Sequence, residues 1–109
     1  VGEDVFKALA DLTRRRILDE LAERDGRALA EICAWLMTKH GLRLSRQAIS
    51  QHLAVLREAG LVVVRMDGKQ RVYALRPEPL TKVDQWLEPY RMFWSKRLDA
   101  LEQHLEENP

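Results

Sequence analysis

Arg46, Gln47, Ser50, Gln51 and Arg57 are hydrogen-bonding side chains set at helical spacing, with Ala54 among them and no acid. At 3.6 residues per turn they share one side of a helix. Gln bonds bidentately to adenine, Arg to guanine, and Ser reaches a phosphate or a base edge, so such a face suits the major groove of DNA. A solvated polar face is the plainer reading, and the composition of this stretch alone does not separate the two.

The element that must carry these groups covers residues 45–59, SRQAISQHLAVLREA. Ile49, Leu53 and Leu56 recur at i, i+4 and i+7, and Ala59 continues their stripe, so the opposite side is expected to be buried. Ser45 suits the N-cap, Leu44 and Ile49 stand where a hydrophobic staple would, and Gly60 suits the C′ position. Residues 61–66 and 70–75 follow as β-branched or aromatic runs. Asp67-Gly68 between them signals a type I′ hairpin turn. A polar-faced helix feeding a hairpin with basic residues near its tip (Arg65, Lys69, Arg71) is the winged-helix arrangement.

Charge sharpens the reading. The chain of 109 residues has a net charge of only +1. Residues 1–37 hold six basic and eight acidic side chains (−2), residues 38–71 seven and two (+5), and residues 72–109 five and seven (−2). The positive charge therefore sits on the helix and hairpin already singled out. Phosphate attraction needs a local patch of this kind, not a basic chain.

The remaining elements frame that unit. Val5, Phe6, Leu9 and Ala10 predict a first amphipathic helix over 3–12. Thr13 is the expected N-cap of a second helix running to Arg24, with Ile17, Leu18, Leu21 and Ala22 inward. The Arg14-Arg15-Arg16 triplet reads as scaffold or as a peripheral backbone contact. A third helix is expected from Leu29, with Leu29, Ile32, Cys33, Leu36 and Met37 as its stripe. It is the first helix of a helix-turn-helix, and residues 38–44 form its connection to the second. In that connection Lys39, His40 and Arg43 either add backbone contacts or cover a loop. After Pro77 and Pro79, the residues Leu80, Val83, Leu87, Tyr90, Trp94, Leu98, Leu101 and Leu105 step by three or four along nearly the whole remaining chain. Glu88-Pro89 interrupts them, so either the helix kinks there or a new one starts with Pro89 in its first turn. So long an apolar stripe, with Trp86 and Phe93 beside it, exceeds what one small domain can bury and points to an interface.

Residues 5–76 resemble the ArsR/SmtB family of bacterial transcriptional repressors. The likeness is carried by FKALADLTRRRILDEL, LAEICAWL, SRQAISQHLAVLREAGLV and the GKQRVYAL hairpin. The resemblance implies a homodimer whose first and last helices form the interface, here through Phe6, Leu9, Leu87, Tyr90, Trp94, Leu98, Leu101 and Leu105. The connection at 38–44 is longer than the tight turn usual in that family. Many members sense metals. Their thiolate site is Cys-Val-Cys on the third helix; this chain has Cys33 but Trp35 in place of the second cysteine. Their other site uses Asp-x-His on the last helix, where Asp84-Gln85-Trp86 again has tryptophan. One thiol does not make a soft-metal site. Cys33 reads as a small buried hydrophobe or as a redox switch. His52 matches a histidine common in the family's recognition helices, and either touches DNA or lies partly buried beside Leu53.

No nucleophile, base and orienting group converge, because Ser50 and His52 lie on different faces, so an enzyme is not expected. No run of 18 apolar residues or signal-peptide pattern is present, and a lone cysteine fits the cytoplasm. The expected fold is mainly α with a small β-hairpin: one winged helix-turn-helix domain over 1–109, with a DNA-binding core at 5–76 and a long C-terminal dimerisation helix at 79–107. The expected function is sequence-specific transcriptional regulation, as a homodimeric repressor of a pseudo-palindromic operator. Ser45, Arg46, Gln47, Ser50, Gln51 and His52 on the helix, with Lys69 and Arg71 on the wing 61–75, are the expected DNA contacts. No cofactor or metal is expected, and the sequence names no small-molecule effector. The alternatives are a winged-helix protein-interaction module and a redox-responsive repressor using Cys33.

Overall fold

A computed structural model describes residues 2–107; the two ends of the expected domain, Val1 and residues 108–109, lie outside the described residues. In chain order it forms α1 (Gly2–Leu9), α2 (Leu12–Glu23), β1 (Arg27–Ala28), α3 (Leu29–His40) and α4 (Arg46–Glu58). Then come β2 (Val62–Asp67), β3 (Gln70–Leu75), a 3₁₀ turn (Glu78–Leu80) and α5 (Thr81–Glu107). The class is mainly α with a small antiparallel sheet, a winged helix-turn-helix.

The core is built by one stripe from each of the first four helices. Val5 and Ala8 of α1, Ile17 and Leu21 of α2, Ile32 and Leu36 of α3, and Ile49, Leu53 and Leu56 of α4 are all buried. Each fully buried Ile or Leu contributes about 1.5–3 kcal/mol relative to exposure, so these few side chains orient the helices they sit on. Leu61, just before β2, closes the core together with Val62 and Tyr73 of the sheet.

Several boundaries differ from the sequence reading. The N-cap of α2 is Asp11 and not Thr13; its carboxylate accepts from the Arg14 amide at 3.1 Å. An Asp oxygen caps as well as a Thr hydroxyl and adds negative charge at the positive end of the helix. Accordingly α1 stops at Leu9, and Ala10 and Ala22, expected inward, are exposed. Helix α3 runs on to His40, so the connection to α4 is shorter than 38–44. Its end is closed by the Leu42 amide on the Leu36 carbonyl at 3.0 Å, while His40 and Lys39 pack on the Trp35 ring. Met37, expected in the α3 stripe, is 50% exposed.

The hairpin register pairs Asp67 with Gln70, which leaves Gly68-Lys69 as the turn in place of Asp67-Gly68. Gly68 has φ +63° and among the described residues no non-glycine residue has a positive φ, so a type I′ turn, which needs two, is not formed. Glycine at the first central position is the type II′ pattern. A short strand that the sequence reading lacks, β1, pairs with β3 at Arg27↔Tyr73 and Ala28↔Val72, giving the order β1-β3-β2. Helix α5 continues through Pro89 as one element.

Only the 3₁₀ turn and the start of α5 pack on the body, through half-buried Leu80 of the turn, half-buried Val83 of α5 and the edge-to-face contact of Trp86 with Phe6 (5.8 Å, 77°). No residue of α5 is buried. The radius of gyration is 18.5 Å, where about 13 Å is usual for a compact domain near this size. The helix stands out from the body.

Candidate nucleic-acid interface

The Ser45 hydroxyl accepts from the Ala48 amide at 3.1 Å and fixes where α4 begins. Ile49, Leu53 and Leu56 are at most 1% exposed, so α4 has one possible roll about its axis. The opposite side therefore faces outward: Arg46, Gln47, Gln51 and Arg57 are exposed and Ser50 is half-buried. None of these four exposed side chains has a hydrogen bond or ion pair within the described residues. They are presented, not used.

The wing extends this surface. Lys69 lies in the hairpin turn and Arg71 one pair down β3, both exposed and both without an acidic partner among the described residues. A cavity of about 460 Å³ lies between α4 and β3, lined by Ser50, Ala54, Arg57, Glu58, Arg71 and Tyr73. A second, of about 350 Å³, lies at the start of α3, where Arg46, Lys69 and Arg71 line it together with Ala28, Leu29, Ala30 and Gln70. Three cations from two elements thus converge where the first helix of the helix-turn-helix begins. Their mutual repulsion is tolerable in water and is relieved by a polyanion. Arg57 joins this surface from the last turn of α4; its place on the polar stripe was visible, but its pairing with the wing was not.

His52 belongs elsewhere. Two positions beyond Ser50, it is turned about 200° from it around the helix, and it is half-buried. Its Nδ1 lies 3.2 Å from Arg14 Nη1. The other donors of Arg14 bind the end of α1: Nε to the Ala8 carbonyl at 2.7 Å and Nη2 to the Lys7 carbonyl at 3.2 Å. Arg15 Nη1 binds the Leu9 carbonyl at 2.6 Å. Arg14 and Arg15 of the arginine run therefore serve the scaffold, with cations on the negative end of a helix. Beside them, burial disfavours the charged form of Asp11. The Arg14 and Thr13 amides and the neighbouring Arg14 guanidinium outweigh it, so its carboxyl lies below the usual value.

The residues matching the family's metal positions are engaged otherwise. Cys33 is half-buried against the core, Trp35 packs on His40, Asp84 pairs with Arg91, and Trp86 packs on Phe6. Among the described residues no three His, Cys, Asp or Glu side chains are grouped to hold a metal. No described helix is long and apolar enough to cross a membrane.

The expected interface residues lie along α1 and α5. Leu9 and Leu87 are half-buried, Phe6 is 39% exposed, and Tyr90, Trp94, Leu98, Leu101 and Leu105 are 46–64% exposed.

Comparison with known proteins gives a consistent result. The family described as a helix-turn-helix domain matches residues 9–65, more than half of the chain. The chain is 49% identical over 85 residues to the HTH-type transcriptional regulator YuzN of Bacillus subtilis, covering 77% of this chain and 92% of that protein. It is 40% identical over 73 residues to the arsenical resistance operon repressor of Escherichia coli, covering 67% of this chain and 57% of that repressor. Among solved structures, the ArsR-like transcriptional regulator from Rhodococcus sp. RHA1 matches with a TM-score of 0.67 at 36% identity, over 98% of this chain and 92% of that one.

Proposed function

The chain belongs to the ArsR/SmtB family of helix-turn-helix, DNA-binding transcriptional regulators, and from that premise we propose that it is a homodimeric repressor of a pseudo-palindromic operator. The observation that carries the DNA contacts is the convergence of Arg46, Lys69 and Arg71, without acidic partners among the described residues, beside the acid-poor face of α4. In this reading residues 5–76 bind DNA and α5, within 79–107, pairs two copies. Arg46, Gln47, Ser50 and Gln51 enter the major groove, Ser45 meets the backbone at its edge, and Lys69 and Arg71 hold flanking phosphates. Two-fold symmetry sets the two α4 helices roughly 34–36 Å apart, one DNA turn. His52 serves α4 from its protein side. A cytoplasmic location goes with this role.

The relative from Escherichia coli is named for arsenical resistance. This chain has a single cysteine, and a soft-metal site draws on several nitrogen or sulfur ligands, so no metal response is proposed.

The test is binding to the intergenic DNA upstream of its own gene, titrated with salt. Specific binding with a steep salt slope is the expected result; a verified dimer that prefers this DNA no more than random DNA returns the chain to the protein-interaction reading. Two substitutions then separate base reading from phosphate contact. Gln47→Ala is expected to cost ~1–3 kcal/mol at particular base pairs and little elsewhere. Lys69→Ala is expected to weaken all sequences alike and to flatten the salt slope by about one unit. An unchanged slope would remove the wing from the interface.

A further inference from the structure

Arg14 touches two elements at once. From α2 it donates to the last carbonyls of α1, at Ala8 and Lys7, and to the Nδ1 of His52 on α4. Its own amide is held by the Asp11 cap, so the base of the side chain is fixed as well as its tip. A guanidinium has donors only. The Nδ1 atom of His52 must therefore accept, and the imidazole proton must sit on Nε2. Beside the apolar contacts of Ile49, Leu53 and Leu56, His52 gives the side of α4 facing away from Ser50 a polar contact with the α1–α2 corner, and α1 in turn carries Phe6 against Trp86 of α5.

We propose that Arg14 is a positioning residue for α4: by donating to Nδ1 of His52 it locks the Nε2–H tautomer and ties the helix to the end of α1. The DNA-facing side of α4 is thereby set from behind, by a strut that makes no contact with DNA. This rests on the reading of α4 as the helix that enters the groove. It assigns His52 a role opposite to direct contact, and the two roles have different chemistry. A strut needs an acceptor at Nδ1, which the Oδ1 of asparagine reproduces. A contact to DNA would need the donor at Nε2, a position that the amide of the shorter asparagine does not reach.

The first arm of the test uses the free protein. Nitrogen chemical shifts of the wild-type imidazole, with the ring neutral, are expected to give an unprotonated Nδ1 and a protonated Nε2. Arg14→Met, which keeps the unbranched stem of the side chain without its donors, is expected to give a mixture of tautomers. The second arm uses the upstream DNA. His52→Leu is expected to lower affinity about tenfold, the scale of one lost hydrogen bond to a charged group, with an unchanged salt slope. His52→Asn is expected to stay within about threefold of the wild type, since it keeps the accepted bond. A wild-type Nδ1 that carries the proton, full affinity in His52→Leu, or a loss in His52→Asn equal to that in His52→Leu would each overturn the proposal. Failure of the wild type itself to prefer this DNA would overturn the repressor reading and the positioning role together. A wild type that prefers this DNA, with variants that depart from the results expected of them, overturns the strut alone.

Discussion

Replacing Trp94 and Leu98 together by glutamate is expected to turn a dimer into a monomer in sedimentation analysis. Affinity for a two-fold DNA site should fall by at least about 100-fold, because two linked half-site contacts become independent. The reason lies in what α5 leaves uncovered. Phe6, Trp86, Tyr90, Phe93, Trp94, Leu98, Leu101 and Leu105 are between 39% and 64% exposed. Side chains of this size bury up to 150–250 Å² when aromatic, so half-exposed they offer on the order of 800 Å² per protomer, the size of a specific interface. Such a patch exceeds what monomeric proteins usually expose. Trp94 is 48% exposed and Leu98 64%, each near the middle of the outer part of the stripe, where a charge would be buried in a dimer and harmless in a monomer. Glutamate favours helix, so the far-ultraviolet spectrum should be retained. A variant that stays dimeric and binds DNA normally would put the interface elsewhere.

Arg27→Ala is expected to destabilise the fold by about 3–5 kcal/mol, measured by urea unfolding, because it strands a buried carboxylate. That is a large part of the 5–15 kcal/mol typical of a whole domain. Glu20 is 1% exposed and its carboxylate pairs with Arg27 Nη2, whose side chain is 14% exposed. Arg27 also reaches Glu31 at 3.4 Å, and its backbone pairs β1 with the wing strand β3. The pair therefore sits where α2, α3 and the sheet meet. Its geometry is under-satisfied: although Arg27 Nη2 pairs with one Glu20 oxygen by charge, neither Glu20 oxygen nor Arg27 Nε has a hydrogen-bond partner within the described residues. Replacing both residues by methionine should accordingly restore most of the lost stability, since a buried pair is weak against apolar packing although each half alone is costly. If Arg27→Ala costs under about 1 kcal/mol, water reaches Glu20 and the pair counts as a surface one. The exposed pair of Arg91 with Asp84 resembles it in contact but not in surroundings, and contributes little.

What the sequence determined by itself is what repeats over short distances. The stripe Ile49, Leu53 and Leu56, the Ser45 cap and the β-branched runs around Gly68 all act within a few residues, so α4 and the wing were legible to within a residue or two. The acid-poor face of α4 followed from the same period, because a helix that buries one side must show the other. The family motifs carried the order of elements. Tertiary structure decided whatever depends on a partner distant in sequence. A two-residue strand such as β1 is too short for any period, and exists because Val72 and Tyr73 offer it an edge. Glu20 has the local look of a solvated helix acid; burial and Arg27 make it otherwise. His52 sits among the residue types that suit a DNA contact, yet an arginine 38 positions earlier takes its Nδ1. The hairpin turn moved by one residue because cross-strand register, and not dipeptide preference, chose where Gly68 supplies its positive φ. Periodicity is a property of one segment, whereas burial, pairing and tautomer are properties of two segments brought together.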